Sequence, residues 1–184
     1  MFQKLLKKIS RALTKNSISY MVIGGQAVLL YGEPRLTKDI DITLGLGPKE
    51  FEKVKRINEK LKLKILVEDA ETFVKKTMVL PSLDEKSGIR IDFIFSFSSY
   101  EKQAIERAKD LRLGNFSVKV ASLEDVVVHK LIAGRPRDIE DVKSVLLKNP
   151  GYDSKYITKW LKEFDKSQKG SFLKLFKEIL RDIK

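Results

Sequence analysis

The stretch "VIGGQAVLLYGEPRLTKDIDI", residues 22–42, sets a glycine pair ahead of two aspartates separated by one isoleucine. "SYMVIGG" reads as a short buried strand ending at Gly24 and Gly25, and "QAVLLYG" as a short helix stopped by Gly32. The segment "EPRLTK" is a loop carrying Arg35 and Lys38. Residues 39–44, "DIDITL", alternate in the manner of a strand, so Asp39 and Asp41 point to the same face. Two ionised carboxylates about 5–6 Å apart repel by about 3 kcal/mol at an effective dielectric near 20. A bound cation is the simplest offset.

A third carboxylate lies further on. Asp92, in "GIRIDFIF", sits among Ile91, Phe93 and Ile94 on a predicted strand, where a charged side chain is out of place unless that edge opens into a cleft. If this strand lies beside 39–44, all three carboxylates converge. An all-oxygen cluster suits Mg²⁺, which retains waters and substrate phosphates. Two such ions about 3.5–4 Å apart can activate an attacking hydroxyl and stabilise a leaving pyrophosphate. Asp92 is then the natural proton acceptor. Gly24 and Gly25, between strand and helix, offer bare backbone amides and a helix N-terminus to phosphate. No "GK[ST]" occurs, so this is not a P-loop, and the glycine spacing is not a dinucleotide fingerprint.

Around this centre the chain alternates helix and strand. "FQKLLKKISRAL" places Phe2, Leu5, Leu6, Ile9 and Leu13 at helical spacing against a basic face. "GPKEFEKVKRINEKLK" and "AETFVKKT" read as helices, and "MVLPS" and "IRIDFIF" as a hairpin around "LDEKSG". "SYEKQAIERAKDL", residues 99–111, reads as one helix and "FSVKVAS" as a strand. From Ser122, a natural cap, the pattern is helical to the end. The expected fold is α+β (mixed α/β), a small mixed sheet flanked by helices, with a catalytic core over 1–120 and a helical region over 121–184. Trp160, Phe164, Phe172 and Phe176 read as core or oligomer-face residues and His129 as structural.

Composition narrows the chemistry. Hydrophobic content of 42% supports a real core, and the absence of cysteine removes disulfides, thiolate metal sites and cysteine nucleophiles. One histidine, His129, rules out a multi-histidine metal centre. No apolar run approaches the about 20 residues that span a bilayer, and the charged N-terminus lacks a signal-peptide pattern; a cytoplasmic protein is expected. The net charge of +12 gathers at the ends: residues 1–15 carry five basic side chains and no acid, and residues 153–184 nine basic and five acidic ones. Such ends form an electrostatic footprint for a polyanion such as RNA, or a solvated surface.

Together, "GGQAVLLYGEPRLTKDIDI" and "IRIDFIF" resemble the DNA polymerase beta-type nucleotidyltransferase superfamily, whose pattern is a Gly-Gly or Gly-Ser turn, a two-carboxylate strand and a third strand carboxylate. "SLEDVVVHKLIAGRPRDIEDV" is similar to the C-terminal motif of AbiEii-type nucleotidyltransferases, related to toxins of bacterial toxin–antitoxin systems. The resemblance covers roughly residues 18–145. It implies that Gly24 and Gly25 contact the triphosphate, with Gln26 next to them in the nucleotide site, and that Asp39, Asp41 and Asp92 hold two Mg²⁺ ions and do the chemistry; read from the residues themselves, Arg35 and Lys38 either neutralise nucleotide phosphates or balance the neighbouring carboxylates. The resemblance places Lys130 and Asp138 near the nucleotide phosphates. It also implies an NTP substrate and a cognate antitoxin as a candidate partner. Where the family has Ser after the glycine, this chain has Gln26, whose amide can still donate a hydrogen bond. The expected reaction moves an NMP from an NTP to an acceptor hydroxyl, on tRNA or other RNA, a protein or a small molecule. The alternative is a degenerate nucleotidyltransferase fold that binds RNA or a partner.

Overall fold

The structure, a computed structural model, describes residues 2–33, 39–96 and 98–183. Among these, the strands are β1 (Tyr20–Val22), β2 (Asp39–Leu44), β3 (Lys64–Ile65), β4 (Val79–Asp84), β5 (Ile89–Phe95), β6 (Lys109–Leu113) and β7 (Phe116–Val120). The helices are α1 (Phe2–Lys15), α2 (Gly24–Tyr31), α3 (Phe51–Lys60), α4 (Ala70–Thr77), α5 (Ser99–Glu106), α6 (Leu123–Ala133), α7 (Pro136–Lys148), α8 (Ser154–Gln168) and α9 (Phe172–Asp182). The mixed α/β class expected from the sequence is the one observed. Two compact units divide the chain: Met1–Gln26 with Leu36–Ala121, and Ala27–Arg35 with Ser122–Lys184.

The first unit holds a seven-stranded sheet in the order β3-β4-β5-β2-β1-β7-β6. The central pair, β2 and β5, is parallel, while β1 runs antiparallel to β2 and β4 antiparallel to β5. Period-two patterning sets this register. Ile40, Ile42 and Leu44 of β2 stand opposite Ile91, Phe93 and Phe95 of β5, and all six are wholly buried. Each such side chain contributes about 2 kcal/mol of burial free energy. A slip by one residue would put the aspartates into that core. On neighbouring elements, α5 packs against β1 and β2, and α1 against β7 through its buried stripe of Leu5, Leu6, Ile9 and Leu13.

The helix expected over 99–111 ends at Glu106. Residues 109–113 instead form β6, which closes an antiparallel hairpin onto β7 with Leu113 opposite Phe116. The two-residue loop Gly114–Asn115, with Gly114 at φ +60°, is the hairpin turn. Tertiary pairing overrides the helical propensity of "ERAKDL" here. The two-residue strand β3 was also not expected.

In the second unit, α6 packs against α7, α8 and α9. Ser122 caps α6, its Oγ accepting from the Asp125 N–H at 3.2 Å, and Gly134 ends the helix in the left-handed region at φ +61°. Pro136 then opens α7. Asp165 accepts from the N–H groups of Phe172 and Leu173 and fixes the start of α9. Trp160 and Phe176 are buried, Phe164 and Phe172 half-buried.

Candidate active site

The first motif folds onto the second through one glycine. The Ile23 N–H donates to the Asp41 carbonyl at 2.9 Å, extending the β1–β2 pairing to the start of α2. There Gly24 takes φ +65°, and a Cβ added to it would lie 1.9 Å from Asp41 Oδ2. Only a residue without a side chain leaves room for that carboxylate. The turn between β1 and α2 therefore rests directly on the Asp41 side chain.

The parallel register completes the arrangement. Asp41 pairs with Asp92, and Asp39 pairs with Arg90. Paired residues share a face, so Asp39, Asp41, Arg90 and Asp92 project from one side of the sheet, with β2 and β5 about 4.8 Å apart and residues two positions apart about 6.6 Å along the strand. Asp39 is exposed, and Asp41 and Asp92 are half-buried. Arg90 occupies part of this space, its Nε donating to Asp92 Oδ1 at 2.9 Å. That hydrogen bond raises the Arg90 pKa above its ordinary value; burial opposes the rise, and the charges of Asp92, Asp39 and Asp41 add to it. Among the described residues no three carboxylate or imidazole groups stand close enough to form a preassembled metal cage. The donor set nevertheless suits a hard cation, because it is all carboxylate oxygen and already attracts a positive group.

Gly25, buried, and Gln26, half-buried, follow Gly24 in the first turn of α2. Arg35 lies outside the described residues. In the second unit, Lys130 and Asp138 meet each other. The Lys130 ammonium donates to Asp138 Oδ1 at 2.5 Å and pairs with Asp141 Oδ2 at 2.9 Å. Lys130 is 5% exposed and Asp138 2%, so this is a buried ion triad. Arg135, itself exposed, joins it with Nε on Asp138 Oδ2 at 2.6 Å. Burial pushes the Asp138 pKa up, but the hydrogen bonds and charges of Arg135 and Lys130 outweigh it and hold that carboxyl below the usual range. The groups that the resemblance assigns to nucleotide phosphates are here engaged with one another.

Sequence reasoning missed Arg90, although its position two residues before Asp92 on an alternating strand puts both on one face. Ser122 is the cap that the sequence predicts, and Asp125 bonds back to it; what the sequence did not disclose is Tyr156, which joins them in a buried trio. Asp125, fully buried, accepts from the Tyr156 hydroxyl at 2.8 Å and from Ser122 Oγ at 2.6 Å.

Solved structures share the fold. The antibiotic-resistance factor ANT(2'')-Ia, solved in complex with adenylyl-2''-tobramycin, superposes with a TM-score of 0.60 at 17% identity, covering 92% of this chain and 100% of that one. The lincosamide antibiotic adenylyltransferase LnuA, lincomycin-bound, gives 0.55 at 20% identity over 77% and 94% of the two chains. An antigenic nucleotidyltransferase-like protein from Paracoccidioides brasiliensis gives 0.54 at 16% identity over 94% and 93%. No curated protein matches the chain. The sequence model of a family described as nucleotidyltransferases of unknown function matches residues 1–169. With that match over most of its length, the chain belongs to the DUF6036 family of nucleotidyltransferases.

Proposed function

We propose that this chain transfers a nucleoside monophosphate from an NTP, with ATP the first candidate, to an acceptor hydroxyl. The acceptor oxygen attacks the α-phosphorus, the bond to the bridging oxygen of the β-phosphate breaks, and pyrophosphate leaves with that electron pair. The observation that carries this reading is the register that sets Asp41 beside Asp92 and Asp39 on the same face, with Gly24 cut back to admit Asp41. Asp39, Asp41 and Asp92 would hold Mg²⁺, which supplies charge stabilisation at the phosphates when bound. Asp92, half-buried on β5, takes the proton of the attacking hydroxyl. Gly24, Gly25 and Gln26 bind the triphosphate through the first turn of α2, whose positive end favours phosphate. Lys130 and Asp138, which the resemblance assigns to the nucleotide phosphates, are bonded to each other in the second unit. The proposal extends to a cytoplasmic setting and, through the resemblance of residues 122–142 to an AbiEii-type motif, to a cognate antitoxin, which co-purification from the native host would test.

The experiment is incubation with each α-³²P-labelled NTP, Mg²⁺ and, in turn, total RNA and a panel of aminoglycosides and lincosamides, beside the Asp39→Asn/Asp41→Asn double variant. Label on an acceptor, at least about 10³-fold weaker in the variant, supports the reading. Undiminished label in the variant refutes it. Label without acceptor, on the protein itself, identifies a protein hydroxyl as the target.

A second reading, an RNA-binding protein on this fold, has its own observation. On α8 the exposed side chains Lys155, Lys159, Lys162 and Lys166 fall within an arc of about 60° and a length of about 16 Å, while Tyr156, Ile157, Trp160 and Leu161 are buried. A line of cations on a helix whose apolar face is already used suits a phosphate backbone. RNA binding that persists in the double Asn variant, without label transfer by the wild type, would favour this second reading.

A further inference from the structure

Arg90 is the only basic side chain on β2 and β5, and it stands on their carboxylate face opposite Asp39. Its side chain is 54% exposed, whereas that of its partner Asp92 is 19% exposed. An ion pair this open to water adds little to fold stability. Its electrostatic effect on the neighbours is larger. Asp39, Asp41 and Asp92 repel one another on this face, and Arg90 places a positive charge where an incoming metal ion would also have to sit.

We propose that Arg90 is the resident counter-ion of the carboxylate site, which a bare divalent cation must displace but which a cation–triphosphate complex recruits. The inference rests on the reading of Asp39, Asp41 and Asp92 as metal ligands given above. In the free protein the guanidinium occupies Asp92 Oδ1. A divalent cation arriving alone takes that oxygen and leaves Arg90 beside a second positive charge. A cation arriving with a triphosphate also takes it, but brings phosphate oxygens that the planar guanidinium is suited to bind. Arg90 is exposed enough to swing from carboxylate to phosphate without disturbing the core. Differential affinity of this kind couples metal and nucleotide binding, so each tightens the other.

The consequence is a pair of effects of opposite sign from one substitution. Arg90→Gln removes the competitor and should tighten binding of Mn²⁺ alone about fivefold to tenfold. It also removes a phosphate ligand and should weaken binding of a non-hydrolysable α,β-methylene ATP analogue in the presence of Mn²⁺ about tenfold. Arg90→Lys keeps the charge but replaces the planar fork with a single ammonium, and should stay within about threefold of wild type for Mn²⁺ alone. Binding is measured by Mn²⁺ electron paramagnetic resonance and by titration calorimetry, without turnover, on proteins whose thermal melts match.

Unchanged Mn²⁺ affinity in Arg90→Gln, with Mn²⁺ bound by wild type and lost in Asp39→Asn/Asp41→Asn, overturns the role of Arg90 and leaves the carboxylate reading standing. Tighter Mn²⁺ binding with unaltered binding of the analogue overturns the recruitment half. If neither wild type nor Arg90→Gln binds Mn²⁺, or the double Asn variant binds it as well, the carboxylate reading falls and this inference falls with it.

Discussion

Gly24→Ala isolates the contact on which the candidate site depends, because a second glycine provides its control. Gly24 and Gly88 both belong to the first unit and take nearly the same conformation, φ +65° and +67°. An alanine forced into the left-handed region costs about 1 kcal/mol at either position. The surroundings differ. Around Gly88 an added Cβ meets nothing within 4 Å. At Gly24 it would lie 1.9 Å from Asp41 Oδ2, 2.9 Å from its Cγ and 3.2 Å from its Cβ. An ordinary C···O contact is about 3.3 Å, so the carboxylate must retreat by more than about 1 Å. Turning the side chain off its rotamer adds about 0.5–1.5 kcal/mol. Gly88→Ala should therefore lose about 1 kcal/mol and Gly24→Ala about 1.5–2.5 kcal/mol, read as urea midpoints of the same unfolding unit. The functional difference should be wider. A displacement near 1 Å at a reacting centre costs about 10²-fold, so nucleotidyl transfer should fall by that factor in Gly24→Ala and hold in Gly88→Ala. Equal stability losses with equal activity would refute the placement of Asp41 against Gly24.

Asp138→Asn should destabilise the protein by about 3 kcal/mol in urea, since Lys130 keeps Asp141 but loses half of its buried compensation. The pH dependence follows from the sign of the shift. The folded carboxyl titrates below its unfolded value, so its stabilisation is complete above the ordinary carboxylate range and lost as pH falls through the depressed folded value. Wild-type urea midpoints should therefore fall more steeply below about pH 5 than those of Asp138→Asn, and parallel curves would remove the ion triad from the account. For α8, replacing Lys155, Lys159, Lys162 and Lys166 together by Gln should reduce the slope of log affinity for a single-stranded oligoribonucleotide against log salt by about 3. An unchanged slope assigns RNA binding to another surface.

What the sequence disclosed was local, and what it hid depended on neighbours. Alternation in "DIDITL" and "IRIDFIF" was enough to set Asp39 with Asp41 and to isolate Asp92, because a strand's two faces are written every second residue. That β2 and β5 are adjacent and parallel could be stated only as a condition, since β3, β4 and the helices between them intervene in the chain. Arg90 was legible by the same alternation. It went unread because a positive charge among expected metal ligands looks like a flanking residue until its bond to Asp92 is seen. The fate of Lys130 was written in its helix. Val126, Val127, Val128 and Leu131 are buried over an arc of about 200° on α6, and Lys130 falls inside that arc rather than at its edge. A lysine there has no wet side along which to extend, so it must find carboxylates, and Asp138 and Asp141 lie one turn apart on α7 to receive it. The motif that resembles a phosphate-binding signature is thus also the pattern required to bury a charge. Residue types alone do not separate these roles; the pattern of burial around them does.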